Sequence, residues 1–133
     1  MKKQRFIADT VREPAERMWS NCLRVDDLVF ISGMTARGSD GQTIDGADEY
    51  EQSKVIFDKI KALVEAAGGV MDDIVKMTIF VTNMANNSHV WKARQEYFTG
   101  DFPACTLVEV AGLAKPEILL EIEAIAVVGA STP

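Results

Sequence analysis

The hydrophobic positions of this chain change from strand spacing to helix spacing and back, and their order predicts the secondary structure. Residues 28–32 form a compact apolar run, which predicts a strand that is buried on both faces. Residues 74–81 are rich in β-branched side chains, with Lys76 and Thr78 facing away from the apolar set, and this predicts a second strand. Weaker strand patterns occupy residues 5–8, 19–24, 104–110 and 119–128.

Two helices are predicted between these strands. The first begins at Asp48 and Glu49, whose negative charges suit the positive end of a helix dipole, and it stops at Gly68. Its apolar stripe at helical spacing comprises Ile56, Ile60, Leu63, Val64 and Ala67. The second helix follows candidate N-cap residues at 86–88 and is closed by Gly100. Its apolar face is assigned to Val90, Trp91, Tyr97 and Phe98.

The order of these elements predicts an α+β fold. We expect a single domain over residues 1–133, in which one mixed β-sheet carries both helices on one face. In the strand at residues 119–128, both alternating sets of side chains are largely apolar. A sheet face covered only by water is normally polar, so a second copy of the chain is the simplest cover for the face without helices. The alternative is that the two helices cover opposite faces.

Composition and charge narrow the class of protein. Hydrophobic residues make up 47% of the chain and charged residues 26%, which is typical of globular domains. No apolar run approaches the roughly 20 residues that span a bilayer, and no apolar signal segment follows the N-terminus, so a cytoplasmic protein without a membrane partner is expected. The net charge of -6 argues against binding to the phosphates of nucleic acids.

The residues that usually hold metals or cofactors are sparse. Cys22 and Cys105 lack CxxC spacing, so we expect free thiols. His89 is the only histidine, and Asp40, Asp45 and Asp48 do not follow the spacing of a calcium loop. There is no Gly-rich phosphate loop. The expectation is therefore that the protein uses neither a metal nor an organic cofactor.

Several short motifs occur in an order and at spacings that resemble the RidA/YjgF family, whose active members are small trimeric imine and enamine deaminases. The two motifs nearest the C-terminus are Val-Glu-Val and Glu-Ile-Glu-Ala-Ile-Ala, and a Phe-Pro-Ala segment precedes them. The matching stretches are residues 31–33, 64–68, 73–81, 102–104, 108–110 and 121–126. Together they cover nearly the full length of the chain. The resemblance implies a chorismate-mutase-like α+β fold, a homotrimer with three clefts between subunits, a small-molecule substrate and no cofactor.

The resemblance also assigns roles to individual residues. Glu121 matches the glutamate that positions the attacking water in this family, and Ser32 and Gly33 match its cleft-lining Ser-Gly pair. Trp19 falls where the family often has an aromatic residue at the cleft mouth. Thr106 and Leu107 belong to the strand that shapes the cleft; at 107 some members have a cysteine whose backbone contacts substrate. The alternative for Glu121 is a solvated or ion-paired strand carboxylate.

Two departures from the family pattern bear on the chemistry. Cys105 replaces the arginine that holds the substrate carboxylate, and Trp91 replaces a helix asparagine of the cleft. A hydrogen bond to a charged group contributes roughly 1.5–3 kcal/mol, so the loss of a bidentate arginine predicts weak binding of ordinary imino acids. Arg94 and Arg37 are candidate replacement cations, and the alternative for both is a surface arginine. For Cys105, a small cleft-lining or buried residue is favoured over a nucleophile.

The sequence therefore carries two functional hypotheses. The first is an imine or enamine deaminase whose substrate differs from the small 2-imino acids. The second is a trimer that binds a small metabolite without turning it over, and the missing arginine motivates it. RNA cleavage, reported for some relatives, is disfavoured because the chain is acidic and has no basic patch with interleaved aromatic residues.

Overall fold

A computed structural model describes residues 2–131 of the chain and contains one six-stranded mixed β-sheet with two helices packed on one face. The strands are β1 (Gln4–Arg5), β2 (Cys22–Val25), β3 (Leu28–Met34), β4 (Ile74–Val81), β5 (Ala104–Glu109) and β6 (Leu120–Val127). The helices are α1 (Glu49–Ala66) and α2 (Asn87–Gln95). The sheet order is β1-β2-β3-β6-β4-β5, in which only the β4–β5 pair is parallel. The predicted α+β fold is confirmed.

Helix α1 begins and ends where the sequence predicts. The Asp48 side chain accepts a hydrogen bond of 2.8 Å from the backbone N–H of Glu51, and the Glu51 side chain accepts one of 2.7 Å from the N–H of Ala47. This reciprocal arrangement satisfies two donors that the helix itself leaves unpaired. Gly68, at φ +95, follows the last turn and lets the chain leave the helix in the left-handed region.

Helix α2 is shorter than its sequence pattern suggests. Asn86 stands at its N-cap, but the amide of that residue donates to Glu49 Oε2 at 2.9 Å and so ties the start of α2 to the start of α1. Val90 is fully buried, whereas Trp91 is 47% exposed and does not belong to the buried face. The apolar face predicted for this helix is thus only partly correct.

The N-terminal strands are shorter than predicted. The strand expected at residues 5–8 is the two-residue β1, and the strand expected at residues 19–24 begins only at Cys22. The chain bends before Cys22 because the side chain of Asn21 turns inward and bonds to other segments. Strand β3 in turn continues two residues further than the apolar run, to Met34.

The face of the sheet beneath the helices forms the core. Ile31, Ala124 and Met77 are neighbours across three adjacent strands, and each is buried. Helix α1 supplies the other half of the core with the apolar stripe that the sequence predicts, together with Phe57. This packing explains why the alternate residues of β3, β4 and β6 are apolar.

The opposite face of the sheet has no helix on it, and we call it the open face. Its apolar part consists of Leu23, Leu28, Phe30, Ile125 and Val127, which the strand registers place on the same side. Leu28 and Phe30 are 43% and 42% exposed, so the expectation that residues 28–32 are buried on both faces is wrong for a single chain. Both helices lie on the other side and leave these two side chains uncovered.

Neither helix has the length and apolar character needed to cross a membrane. That finding applies to residues 2–131.

Candidate functional site

Glu121 is the second residue of β6, next to the irregular end of β3. Its register partner on β4 is Phe80, which puts its side chain on the open face. On its other side lies Gly33, where a β-carbon would come within 2.8 Å of the Glu121 Cδ and would overlap the carboxylate oxygen. Only glycine at position 33 leaves room for the carboxylate in this position.

The surroundings of Glu121 favour its protonated form. Burial raises the pKa of this carboxyl group above its usual value, and the nearby charge of Glu123 raises it further. Among residues 2–131, no donor forms a hydrogen bond with the Glu121 carboxylate to oppose these effects. A half-buried carboxylate without a partner is able to take up a proton from a bound molecule.

Glu121 lies in the wall of a cavity of about 490 Å³, which we call the Glu121 cavity. Four of the residues predicted from the sequence line it: Trp19, Gly33, Arg37 and Glu121. Arg12, Asn21 and Lys59 also line it, and the sequence analysis did not single them out. The cavity is therefore built from the segment before β2, the end of β3, the loop that follows β3, helix α1 and the start of β6.

Trp19 is held at the edge of this cavity by a buried asparagine. Its indole N–H donates to the Asn21 Oδ1 at 3.2 Å, while the Asn21 amide donates to the Arg12 carbonyl and to the Glu13 carboxylate, both at 3.0 Å. Asn21 is only 3% exposed. The sequence contains one sign of this network, which is the polar Asn21 directly before the apolar strand β2. The groups that accept from its amide belong to Arg12 and Glu13, eight or nine residues earlier, and no periodic pattern connects them to Asn21.

Ser32 is committed to the backbone. Its hydroxyl donates to the Ser20 carbonyl at 2.6 Å, and its N–H donates to the Asn21 carbonyl at 2.9 Å. These bonds join the bent segment before β2 to β3. Ser32 is not among the residues that line the Glu121 cavity, although it directly precedes Gly33.

The predicted site residues of β5 lie apart from this cavity in a single chain. Strand β5 is at the edge of the sheet and is separated from β6 by β4. Thr106 faces the open side, where its hydroxyl accepts a hydrogen bond of 2.8 Å from Lys76. Cys105 and Leu107 are paired with the buried Met77 and Ile79 and so lie on the helix side of the sheet.

Cys105 is exposed and has an arginine beside it. The Arg94 Nη1 lies 3.1 Å from the Cys105 Sγ, so a guanidinium group from α2 occupies the space next to position 105. Trp91 is one helical turn before Arg94 on the same helix. The residues named from the sequence thus form two groups, one around Glu121 and one around Cys105. Of the two candidate cations, Arg37 belongs to the first group and Arg94 to the second.

No group of three histidine, cysteine, aspartate or glutamate side chains within residues 2–131 is arranged to hold a metal ion. The Cys22 thiol is buried, donates to the Leu63 carbonyl at 3.7 Å, and has its pKa raised to about 11 by that burial. It is therefore an inert structural thiol.

The comparisons with known proteins agree with the fold. The family model described as endoribonuclease L-PSP matches residues 10–128. A Pseudomonas aeruginosa protein of unknown function is 38% identical, with a TM-score of 0.86 over 96% of this chain and 94% of that chain. YyfA from Yersinia pestis, a protein of unknown function of the conserved Rid family, is 33% identical, with a TM-score of 0.86 over 96% and 100%. RidA from an Antarctic Psychrobacter species is 27% identical, with a TM-score of 0.84 over 94% and 99%.

Proposed function

The chain belongs to the endoribonuclease L-PSP family, also known as the Rid family, and from this premise we propose that it is an imine or enamine deaminase. The substrate would differ from the small 2-imino acids. The observation that carries the proposal is the Glu121 carboxylate, which is half-buried, without a hydrogen-bond partner in the described chain, and located in the wall of a cavity.

The reaction needs a water molecule and a base. In the first step, the water oxygen bonds to the carbon of the C=N group while the Glu121 carboxylate takes a proton from the water. The π electrons move to nitrogen, and Glu121 returns the same proton there, which gives a neutral carbinolamine. In the second step, Glu121 takes the hydroxyl proton and passes it to the amine nitrogen as the C–N bond breaks, its electrons go to nitrogen, and ammonia leaves with a ketone as the other product. A carboxyl with a raised pKa suits both steps, because it accepts and returns the proton at a small energetic cost.

The walls of the cavity support this role for Glu121. Gly33 admits the carboxylate to its position, and a larger residue there would displace it. The Trp19 indole, oriented by Asn21, offers a flat apolar surface for the carbon part of a substrate.

We further propose that the protein is a homotrimer in the manner of its family. The uncovered apolar side chains of the open face support this, since Phe30 and Leu28 would otherwise remain in water. If the edge strand β5 of a neighbouring subunit meets the Glu121 cavity in this assembly, Cys105, Thr106 and Leu107 of that strand are brought to the cavity. The two groups of predicted site residues would then form one cleft between subunits.

The substrate differs from that of the usual deaminase because of position 105. A cysteine cannot hold a carboxylate in the bidentate way that arginine does. Arg94 lies beside Cys105, but it reaches this point from α2 and donates to the thiol. We therefore place the recognition of the substrate in residues other than Cys105.

The second candidate function is a trimer that binds a small metabolite without turnover. The absence of an arginine at position 105 favours this second function. A protein that does not turn its ligand over has no need of an arginine that holds the substrate carboxylate during the reaction. The two functions differ in one observable, which is the release of ammonia.

Ammonia release decides between them. Imines are generated in the assay by an amino-acid oxidase or an amine oxidase acting on a panel of amino acids and amines, and the loss of imine is followed with and without the protein. We expect acceleration on at least one imine, and Glu121→Gln should abolish it. Glu65→Gln is the control and should keep full activity, because it removes an exposed carboxylate of α1 that does not line the cavity. Full turnover by Glu121→Gln would refute the mechanism, and ligand binding without turnover by the wild type would favour the second candidate.

A further inference from the structure

Three basic side chains surround the Glu121 cavity on the side of the loop after β3. Arg12, Arg37 and Lys59 line this cavity, and all three also line an adjoining cavity of about 310 Å³. They come from three different segments: the stretch before β2, the loop after β3, and helix α1. The fold thus concentrates positive charge next to Glu121, the proposed catalytic residue, although the net charge of the chain is -6.

Backbone carbonyls, and not carboxylates, orient these cations. The Arg37 Nη1 donates to the Gly41 carbonyl at 3.0 Å, and the Arg12 Nη1 donates to the Ser39 carbonyl at 3.2 Å. Lys59 donates to the Thr35 and Arg37 carbonyls at 2.7 and 2.6 Å. A carbonyl fixes the direction of a guanidinium group but leaves its full positive charge in place, and each guanidinium has further N–H groups to donate.

The two guanidinium groups meet at Gly41. A β-carbon on Gly41 would lie 2.6 Å from the Arg12 Cζ, while the carbonyl of the same residue accepts from Arg37. Gly41 also has a φ of +73, in the left-handed region that glycine enters without strain. The loop therefore uses a residue without a side chain to let two arginines approach the same point. Two like charges brought together favour an anion between them.

The acidic residues nearby leave these charges without an ion-pair partner. Glu13 lines the cavity but is paired with Arg5 at 2.5 Å. Asp45 and Asp58 line the adjoining cavity, but within residues 2–131 neither forms an ion pair with Arg12, Arg37 or Lys59. Arg12 lies near enough to Asp40, and Asp45 near enough to Lys59, for their charges to interact. The Asp40 carboxylate is nevertheless bonded to the hydroxyl and N–H of Thr43, and no ion pair joins these groups within the described residues.

We propose that Arg12 and Arg37 form an anion subsite of the Glu121 cavity, which binds a carboxylate or phosphate group of the substrate at a distance from its C=N carbon. Lys59 holds the loop in the shape that this subsite requires and adds to its positive charge. The assignment of the anion to the substrate rests on the proposed deaminase function, whereas the anion subsite itself does not. It also moves the recognition of charge from β5 to the segment before β2 and the loop after β3, which line the Glu121 cavity.

Binding of small probes to the intact protein tests the subsite without any turnover. By isothermal titration calorimetry, the wild type is titrated with 4-oxopentanoate, which has a ketone and a remote carboxylate, with the uncharged pentan-2-one, and with inorganic phosphate. We expect millimolar or tighter binding of 4-oxopentanoate and much weaker binding of pentan-2-one. Arg37→Gln should weaken 4-oxopentanoate binding about ten-fold to a hundred-fold, since a charge-assisted hydrogen bond is lost.

Arg12→Gln is the second variant, and it is useful because the exposed Arg12 side chain makes a single hydrogen bond within the described chain, so its loss should leave the fold intact. Lys61→Gln, which removes an exposed cation from α1, is the control and should bind as the wild type does. Binding of phosphate alone, lost in both arginine variants, would support the subsite and assign phosphate as its ligand. Equal binding of 4-oxopentanoate by wild type and both variants would overturn the proposal. So would the absence of binding for both anions at millimolar concentration.

The outcomes also separate this proposal from the deaminase function. Anion binding that depends on Arg37, without ammonia release from any imine, would support the anion subsite and contradict the deaminase function. Ammonia release that is unaffected by Arg12→Gln and Arg37→Gln would support the deaminase function and contradict the assignment of the anion to its substrate.

Discussion

The carboxylate of Glu121 occupies the space that a side chain on Gly33 would fill, and the two residues are therefore coupled. A β-carbon at position 33 would come within 2.8 Å of the Glu121 Cδ and closer still to Oε2. The contact is with the end of a side chain, so Glu121 is able to move away without unfolding the protein. The Glu121 carboxylate therefore has room in this position only because Gly33, on the neighbouring strand, has no side chain.

The first prediction follows from this contact. Gly33→Ala should displace the Glu121 carboxylate, and a shift of about 1 Å at a catalytic group is enough to cost on the order of 100-fold in rate. We expect ammonia release to fall by at least ten-fold on whichever imine the wild type uses, with a change in Tm of only a few degrees. Gly112→Ala is the matched control, because a β-carbon there has no heavy atom within 4 Å. Equal activity of Gly33→Ala and Gly112→Ala would contradict the coupling.

The second prediction concerns stability and pH. Burial raises the pKa of Glu121 in the folded chain above its value in the unfolded chain, which is about 4.3. The folded state therefore binds the proton more tightly, and the contribution of Glu121 to stability is present below pH 4.3 and lost as the pH rises through the folded-state pKa. At pH 7, well above that unfolded-state value, the raised pKa makes the fold less stable than it would be with a neutral side chain at position 121.

Glu121→Gln removes this charge and should unfold at a higher temperature than the wild type at pH 7, although we expect it to release no ammonia. The difference in Tm should shrink as the pH is lowered towards 4, where the wild-type carboxyl is protonated. Thermal unfolding at a series of pH values measures this, and Glu123→Gln, on the exposed part of the same strand, should show a smaller effect. A Glu121→Gln variant that is less stable than the wild type at pH 7 would indicate that the carboxylate has a stabilising partner in the assembly.

The third prediction tests the assembly. Phe30 is 42% exposed at the centre of the open face, with Leu23 and Ile125 as its cross-strand neighbours. Phe30→Lys should convert the proposed trimer into monomers, because a charge buried in the interface without a partner is strongly unfavourable. Sedimentation equilibrium measures the mass of the particle. Val70→Lys places the same charge on a residue that is 50% exposed outside the sheet, and it should remain trimeric. A trimeric Phe30→Lys protein would place the interface elsewhere.

The fold was predictable because local periodicity and core packing agree in this chain. The apolar stripe of α1 and the alternate residues of β6 are buried where the sequence puts them. The error at Leu28 and Phe30 has the same origin as the correct predictions. Apolar side chains indicate burial, but the sequence does not say whether the cover is a helix of the same chain or another subunit.

The site was predictable only in part. Gly33 and Glu121 were found from a family pattern, and their contact depends on two strands that pair directly. Arg12 and Lys59 were missed because their placement depends on the irregular loop after β3, whose path is set by single hydrogen bonds between distant segments. Such bonds leave no periodic signal in a sequence.

The fourth prediction asks whether position 105 still limits the choice of substrate. The wild type, Cys105→Arg and Arg94→Gln are compared for ammonia release from 2-iminopropionate generated by an oxidase. The gain of a charge-assisted, bidentate contact amounts to roughly 1.5–3 kcal/mol, so Cys105→Arg should increase kcat/KM for this imino acid by about ten-fold to a hundred-fold over a low wild-type value. Arg94 complicates this substitution, because its guanidinium lies 3.1 Å from the Cys105 thiol and would repel a second one. The double variant Arg94→Gln/Cys105→Arg removes the repulsion and should show the largest gain. If instead the wild type is already highly active and Arg94→Gln abolishes that activity, then Arg94 has taken over the role of the missing arginine, and the substrate is an ordinary 2-imino acid after all.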